Sequence, residues 1–334
     1  MKEIKISDKN IGDGNPAFII SEAGINHDGN IEQAKKLVQK AYESQADAIK
    51  FQIFKADEFC STNSEYYDLF KNLEFSEDEW IEIIEFSKRK GIIFTATVFG
   101  KKSCDFLNKM SIPAYKTASG DLTYLQLLEY MGTKNKPIIL STGMSTVGEI
   151  EKALNTIYRT GNHQVAILHC VSNYPTLYED TNLKAINTLK NIFGIPVGFS
   201  DHTKGTLIPA MAVALGSNII EKHFTIDKNL QGPDHELSLE PHEFKEMVEN
   251  IRNVEKALGD GIKHPTESKN MILAARRSIF TNQKINEDTI LEEKMFKIVR
   301  PSAGISPEHL SSIIGKRSVK TIEDENPVNW GDIE

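Results

Sequence analysis

Gly198-Phe199-Ser200-Asp201-His202-Thr203 and, further along the chain, Glu221-Lys222-His223-Phe224 are the stretches on which the fold is read. In each, a short apolar run gives way to polar residues and a histidine stands at the change. Side chains alternate faces along a strand, so Ser200 shares a face with His202 and Glu221 with His223. The same texture recurs upstream. Apolar runs at Ala17–Ile20, Ala46–Phe51, Ile92–Thr97, Ala114–Thr117, Pro137–Ser141, Val165–His169, Pro196–Phe199 and Asn218–Lys222 give eight candidate strands. Several are apolar throughout, as expected of parallel strands covered on both faces.

Helical patterns lie between them. Ile31, Ala34, Leu37, Val38, Ala41 and Tyr42 form one stripe behind Asn30, a good N-cap. Val147–Tyr158 opens with a Thr146/Glu149 capping box and stops at Gly161. This alternation predicts an α/β fold, a (β/α)8 TIM barrel, in preference to an open sheet, which usually has fewer strands. Residues 1–15 read as a polar lead-in ending at a Gly-Asn-Pro turn, Ser21-Glu22-Ala23-Gly24 as the segment that closes the first strand, and Lys55–Asp78 as a lid or rim insertion. After the helix around Phe244–Leu258 the texture changes. The expected organisation is a catalytic barrel over 1–258, a polar, glycine-containing linker over 259–274, and a small β-rich domain over 275–334.

Composition narrows the function classes. A formal net charge of -8 without a basic run argues against general nucleic-acid or anionic-membrane binding. An anionic ligand must therefore be met by local lysines. Cys60, Cys104 and Cys170 are odd in number and widely spaced, which suggests neither a disulfide framework nor a zinc ribbon. A reducing, cytoplasmic compartment is the default. The start, Met1-Lys2-Glu3-Ile4-Lys5, has no apolar signal region, and no run reaches membrane-span length.

The ligand site of such a barrel lies at the C-terminal ends of its strands. Those ends read Glu22, Lys50, Gln52, Thr97, Lys116, Ser119, Ser141, His169, Ser200, His202, Glu221 and His223. Lysines are rarely buried unless paired. Lys50 and Lys116 with several hydroxyls make a phosphate or carboxylate site, the alternative being pairing with barrel glutamates. Two imidazoles, His202 and His223, suit a mid-series divalent ion with open positions rather than a closed zinc site, the alternative being hydrogen-bonded core histidines. His169, mid-apolar, reads as structural or as part of the site. Asp234, in the turn-rich Gly232-Pro233-Asp234-His235, is either a polyol contact or a plain turn residue.

Taken together, Glu22-Ala-Gly-Ile-Asn-His-Asp-Gly, Lys50-Phe-Gln, Ala114-Tyr-Lys-Thr-Ala-Ser-Gly, Leu140-Ser-Thr-Gly-Met, Ser200-Asp-His-Thr, Glu221-Lys-His-Phe-Thr and Gly232-Pro-Asp-His resemble the sialic acid synthase family. The tail, with Val299-Arg-Pro-Ser-Ala-Gly-Ile-Ser and Ile314-Gly-Lys, resembles that family's antifreeze-like (SAF) domain. The resemblance implies an enzyme that condenses phosphoenolpyruvate with N-acetylmannosamine by C–O cleavage, giving N-acetylneuraminate and phosphate. The close alternative uses a 2,4-diacetamido-2,4,6-trideoxymannose and yields diacetyllegionaminate. The Gly-Pro-Asp-His stretch argues against the pseudaminic branch.

By the same resemblance, His202 and His223 hold a divalent ion, typically manganese, with magnesium or cobalt as substitutes. Lys50, Thr97, Lys116, Ser119, Ser141 and Ser200 contact phosphoenolpyruvate, and Glu22, Gln52, Tyr174, Asp234 and Arg300 lie near the sugar. Glu22, Lys50, Lys116 and Asp234 are the candidate catalytic residues. A homodimer that swaps its C-terminal domain, bringing Arg300 to the neighbouring site, is also implied. Ser172, where many members carry asparagine, and Asp121, where many carry glutamate, depart from the pattern. Competing readings are another phosphoenolpyruvate aldol-type synthase, for which no second basic cluster is evident, and a metal-dependent hydrolase, which leaves the two lysines unexplained. A carbohydrate- or ice-binding role for the tail leaves Arg300 without a partner site.

Overall fold

Eight parallel strands close into a barrel in the computed structural model, which describes residues 3–334. They are β3 (Phe18–Gly24), β4 (Ala48–Ile53), β5 (Ile93–Val98), β6 (Tyr115–Thr117), β7 (Ile138–Ser141), β8 (Val165–Cys170), β9 (Val197–Asp201) and β10 (Ile219–His223). The ring closes where Ile219 of β10 pairs with Phe18 of β3. The expected closed sheet is thus present, and its helices follow the pattern that the sequence carries. Asn30 Oδ1 accepts from the backbone of Glu32 and Gln33 ahead of the helix Ile31–Glu43, and Thr146 with Glu149 forms the capping box of Val147–Tyr158. The buried stripe Ala34, Leu37, Val38 and Ala41 joins the large apolar layer between helices and strands.

Two local expectations are corrected. The lead-in is not featureless: β1 (Ile4–Ile6) and β2 (Lys9–Ile11) form an antiparallel hairpin, turned at Ser7 with φ +56°. Ile4, Ile6 and Ile11 are buried against Phe18, Ala48, Ala114, Ile139, Ala166 and Ile219, and so close the barrel's N-terminal end. Alternation is visible in Ile4-Lys5-Ile6, but a three-residue strand gives too short a signal to read alone. Met1 and Lys2 lie outside the described residues. Ser21-Glu22-Ala23-Gly24 does not follow the first strand but extends it as the end of β3, because its backbone stays in the ladders to β4 and β10. The excursion after Lys55 carries two short helices, Ala56–Phe59 and Tyr67–Leu73, and ends at Ser76, which caps the helix Glu77–Lys90.

The chain separates into two compact units, Met1–Asp260 and Gly261–Glu334. The second has its own core of Ile279, Ile285, Leu291, Phe296, Ile305, Ile313, Ile322 and Val328 around the antiparallel pair β11 (Ser278–Thr281) and β12 (Phe296–Val299). The stretch read as a linker contains the helix Lys269–Ala275, started by Ser268, whose Oγ accepts from Met271 N at 3.2 Å. Among the described residues, no helix is long and apolar enough to cross a membrane.

Candidate active site

The inward residues of the strands change character along the barrel axis. Phe18-Ile20-Glu22, Ala48-Lys50-Gln52, Ile93-Thr95-Thr97, Ala114-Lys116, Ile139-Ser141, Gly198-Ser200-His202 and Ile219-Glu221-His223 each run from apolar or small to polar. The narrow interior sets Gly198: a Cβ there would lie 2.5 Å from Leu168 Cδ2 and 2.6 Å from Ile219 Cβ. The polar ends surround a cavity of about 330 Å³. Glu22, Lys50, Gln52, Thr97, Lys116, Ser119, Ser141, Tyr174, Ser200, His202 and His223 all line it, joined by Glu221, Phe99, Met144 and Ser172.

Both lysines are buried and paired with barrel glutamates, the alternative that the sequence offers, and both line the cavity. Lys50 Nζ lies 2.7 Å from Glu22 Oε2 and 3.7 Å from Glu221 Oε2, and donates to Thr97 Oγ1 at 2.9 Å. Lys116 Nζ lies 3.6 Å from Glu221 Oε1 and donates to Ser141 Oγ at 2.5 Å and to the Thr117 carbonyl at 2.9 Å. Burial by itself disfavours the ammonium of Lys50, yet Glu22 and Glu221 outweigh it and its pKa rises. For Lys116 burial wins over the attraction of Glu221, and the pKa falls. Burial opposes ionisation of Glu221 too, but Lys116 and Lys50 hold its pKa down at about 2.

Glu221 is the residue whose importance sequence reasoning underrates. Spacing shows only that it shares a face with His223. In the fold it stands between both lysines and accepts from Ser200 Oγ at 2.9 Å. A glutamate at a barrel strand end, two residues before a candidate ligand, was the available signal.

The imidazoles of His202 and His223 lie with ring centroids 5.4 Å apart, and the Tyr174 ring is 4.2 Å from that of His202. His202 Nδ1 is 2.6 Å from the Val171 carbonyl, so that nitrogen carries the proton and Nε2 keeps its lone pair. Burial, with His223 alongside, lowers the His202 pKa to about 3 and keeps the ring neutral, as metal ligation requires. His223 Nδ1 is buried without a hydrogen-bond partner, its nearest acid oxygen being Asp234 Oδ2 at 3.7 Å. An unpartnered buried ring nitrogen beside a neutral imidazole fits a divalent ion. Among the described residues, no group of three or more His, Cys, Asp or Glu is arranged to hold a metal. A two-histidine set leaves the remaining positions to water or substrate oxygens.

A buried ion pair on the outer face steadies these strand ends. Lys222 Nζ lies 2.6 Å from Asp201 Oδ2 and donates to the Thr203 carbonyl, while Asp201 Oδ1 accepts from Thr203 N at 2.9 Å. The residues on either side of each partner therefore point inward.

Next to Glu22, Gly24 sits at φ +53°, and a Cβ there would lie 3.4 Å from both Asp234 Oδ2 and Glu22 Oε1, and 3.5 Å from Gln52 Nε2. Glu22, Gln52 and Asp234 thus converge on one spot. Ser119 Oγ accepts from Gly143 N at 3.1 Å and contacts Cys170 Sγ at 3.1 Å. Asp121, in the short turn after β6, has its carboxyl pushed up to about 6 by burial. His169 does not line this cavity; its Nε2 lies 2.9 Å from the Thr181 carbonyl, in keeping with a structural role. Arg300 belongs to the second unit, exposed just after β12.

Comparison with known proteins places this geometry in context. Residues 37–263 match the model of the NeuB family, and residues 276–334 match that of the SAF domain. An uncharacterized protein of Methanocaldococcus jannaschii, MJ1065, is 50% identical over 100% of this chain and 99% of its own. The N,N'-diacetyllegionaminic acid synthase of Legionella pneumophila is 39% identical over 97% of this chain and 96% of its own. Among solved structures, the N-acetylneuraminic acid (sialic acid) synthetase of Leptospira borgpetersenii, in complex with citrate, superimposes with a TM-score of 0.77. It is 39% identical and the match covers 81% of this chain and 94% of that one.

Proposed function

The chain belongs to the NeuB family, and from that membership and the chemistry of its barrel mouth we propose that it condenses phosphoenolpyruvate with N-acetylmannosamine. The products are N-acetylneuraminate and inorganic phosphate. The supporting observation is that two buried lysines, Lys50 and Lys116, share one cavity with two buried imidazoles, His202 and His223. A hydrolase has no use for the lysines, and a general anion site has no use for the imidazoles.

In this reading Lys50 and Lys116, with Thr97, Ser119, Ser141 and Ser200, hold the carboxylate and phosphate of phosphoenolpyruvate. Substrate anions take over part of the ammonium pairing now made to Glu22, Glu221 and the hydroxyls. The aldose lies against Gln52, Tyr174 and Asp234. His202 and His223 would hold a divalent ion, manganese in first place and magnesium or cobalt as substitutes, and its chemistry there would be that of a Lewis acid. The enol carbon attacks the aldehyde carbon, positive charge develops at the enol-ether carbon, and water adds there. Glu22, beside Lys50, takes a proton of that water and delivers it to the alkoxide left on the former aldehyde oxygen. The resulting tetrahedral centre expels phosphate with its bridging oxygen. Holding both partners in register supplies much of the rate.

Arg300 completes the sugar site of a second copy in a domain-swapped homodimer, and a cytoplasmic location accompanies such a substrate pair. A second reading is favoured by the 39% identity to the Legionella legionaminic acid synthase across nearly the whole chain. There the aldose is the 2,4-diacetamido-2,4,6-trideoxy sugar, and the chemistry is unchanged.

Phosphoenolpyruvate carrying labelled bridging oxygen tests the mechanism: the label leaves in phosphate, whereas its retention in the keto acid contradicts C–O cleavage. His202→Ala should weaken manganese binding measured by calorimetry; unchanged affinity removes it as a ligand.

A further inference from the structure

We infer that Asp28 and His235 are positioning residues: with Asn26 and Ser238 they clamp the loop that presents Asp234 to the sugar side of the mouth. This rests on the reading of Asp234 as a sugar contact. His235 is completely buried. Its Nδ1 lies 2.7 Å from Thr225 Oγ1, two residues beyond β10, and its Nε2 lies 3.1 and 3.2 Å from the Asp28 carboxylate oxygens. Both ring nitrogens are thus engaged, one by each of two separate chain segments.

The second anchor is Ser238, whose Oγ donates to the Asp234 carbonyl at 2.5 Å and accepts from Asn26 Nδ2 at 3.0 Å. Asn26 Nδ2 also donates to the Phe224 carbonyl at 2.9 Å. Gly232 closes the loop over the imidazole, since a Cβ there would lie 2.7 Å from His235 Cδ2. The Asp28 end is itself held: its backbone is left-handed at φ +50°, and its carboxylate accepts from Gln33 Nε2 at 2.5 Å.

The geometry gives one purpose to residues that the proposed chemistry leaves idle. Asn26 and Asp28 lie on the connection that follows Glu22 and the end of β3, and His235 and Ser238 follow Asp234. Glu22 and Asp234 are the two carboxylates that converge at Gly24. Asn26 Oδ1 is buried without a partner, but Asn26 Nδ2, Ser238 Oγ and both ring nitrogens of His235 are engaged, and a buried network bonded in this way favours one arrangement. Here the arrangement it specifies is the separation of those two carboxylates. The effect of loosening it falls on the aldose and not on phosphoenolpyruvate, because Lys50, Lys116 and their hydroxyls are held by other strands.

The test uses the full chain, with N-acetylmannosamine, or the diacetamido analogue if that is the one turned over. Asp28→Gly removes the carboxylate while tolerating the left-handed backbone. Asp28→Asn keeps an acceptor for His235 Nε2–H and also tolerates it. Asp28→Gly is expected to raise the aldose KM about tenfold, short of the hundredfold that an ångström's misplacement can cost, with the phosphoenolpyruvate KM unmoved and Asp28→Asn recovering most of the loss. Equal rises in both KM values, no rise, or no recovery by asparagine overturns the inference. If Asp28→Gly does not fold by circular dichroism, His235→Gln is read by the same KM split. Asp234→Ala separates the two levels. If it leaves the aldose KM unchanged, the reading of Asp234 fails. If it raises that KM while the Asp28 and His235 variants do not, only the clamp fails.

Discussion

The two ends of the barrel are built from the same eight strands by opposite rules. At the N-terminal end Ile4, Ile6 and Ile11 of the hairpin join Phe18, Ala48, Ala114, Ile139 and Ile219 in one apolar cluster. At the C-terminal end, Lys50, Lys116, Glu22 and Glu221 are brought within ion-pairing distance of one another in a place where charge is costly. A chain selected only for stability has no reason to do this, since well-packed apolar residues often serve as well or better there. The base carries stability and the mouth spends some of it on a site that an anionic substrate completes.

The strongest way to break that contrast is to make the mouth resemble the base. The double variant Lys50→Met/Glu22→Leu removes one ion pair together with its counter-charge. Turnover should fall by at least about 10²–10³-fold, the loss typical of removing one charge-stabilising group. The thermal midpoint should hold or rise, because replacing a buried pair is neutral or stabilising by about 1–4 kcal/mol. A large drop in the midpoint with turnover preserved reverses the assignment of roles.

The converse change is Ile11→Ala at the base. Its side chain is wholly buried, so the cost should be about 2–5 kcal/mol in denaturant unfolding, with kcat/KM unchanged at a temperature where the variant is folded. An equal loss of activity shows that the plug shapes the mouth.

A smaller effect is read from pH. Burial lowers the His27 pKa from 6.5 to about 4 on the mouth-side connection, where its ring lies 4.4 Å from that of Phe75. Between those values the unfolded chain binds a proton that the folded chain does not. Stability is therefore full above about 6.5 and declines as pH falls toward about 4, by up to about 3 kcal/mol. His27→Phe should flatten that slope in melts taken at pH 7 and pH 5. An unaltered slope assigns the acid sensitivity to other groups.

Much of this contrast is legible in the sequence. The helices announce themselves through Asn30 and the Thr146/Glu149 box because caps are local chemistry. The strands are legible as apolar runs, and their downstream ends supply nearly every residue of the mouth, since period two decides which side chains share the inward face. The hairpin is not legible: two three-residue strands become strands only when the barrel's open base buries Ile4, Ile6 and Ile11. Glu221 is visible but carries no role until closure brings β4 and β6 around to face it. Nor is the link between Asp28 and His235 legible, since 207 positions separate partners that only the folded loops bring together.

Phosphate release measured with phosphoenolpyruvate alone, with the aldose alone, and with both present tests the central claim most directly. A mouth that pairs two ammonium groups with two imidazoles to join an anion to an aldehyde predicts phosphate only when both substrates are present, in step with formation of a 2-keto acid. Phosphate released at the same rate from phosphoenolpyruvate alone contradicts it.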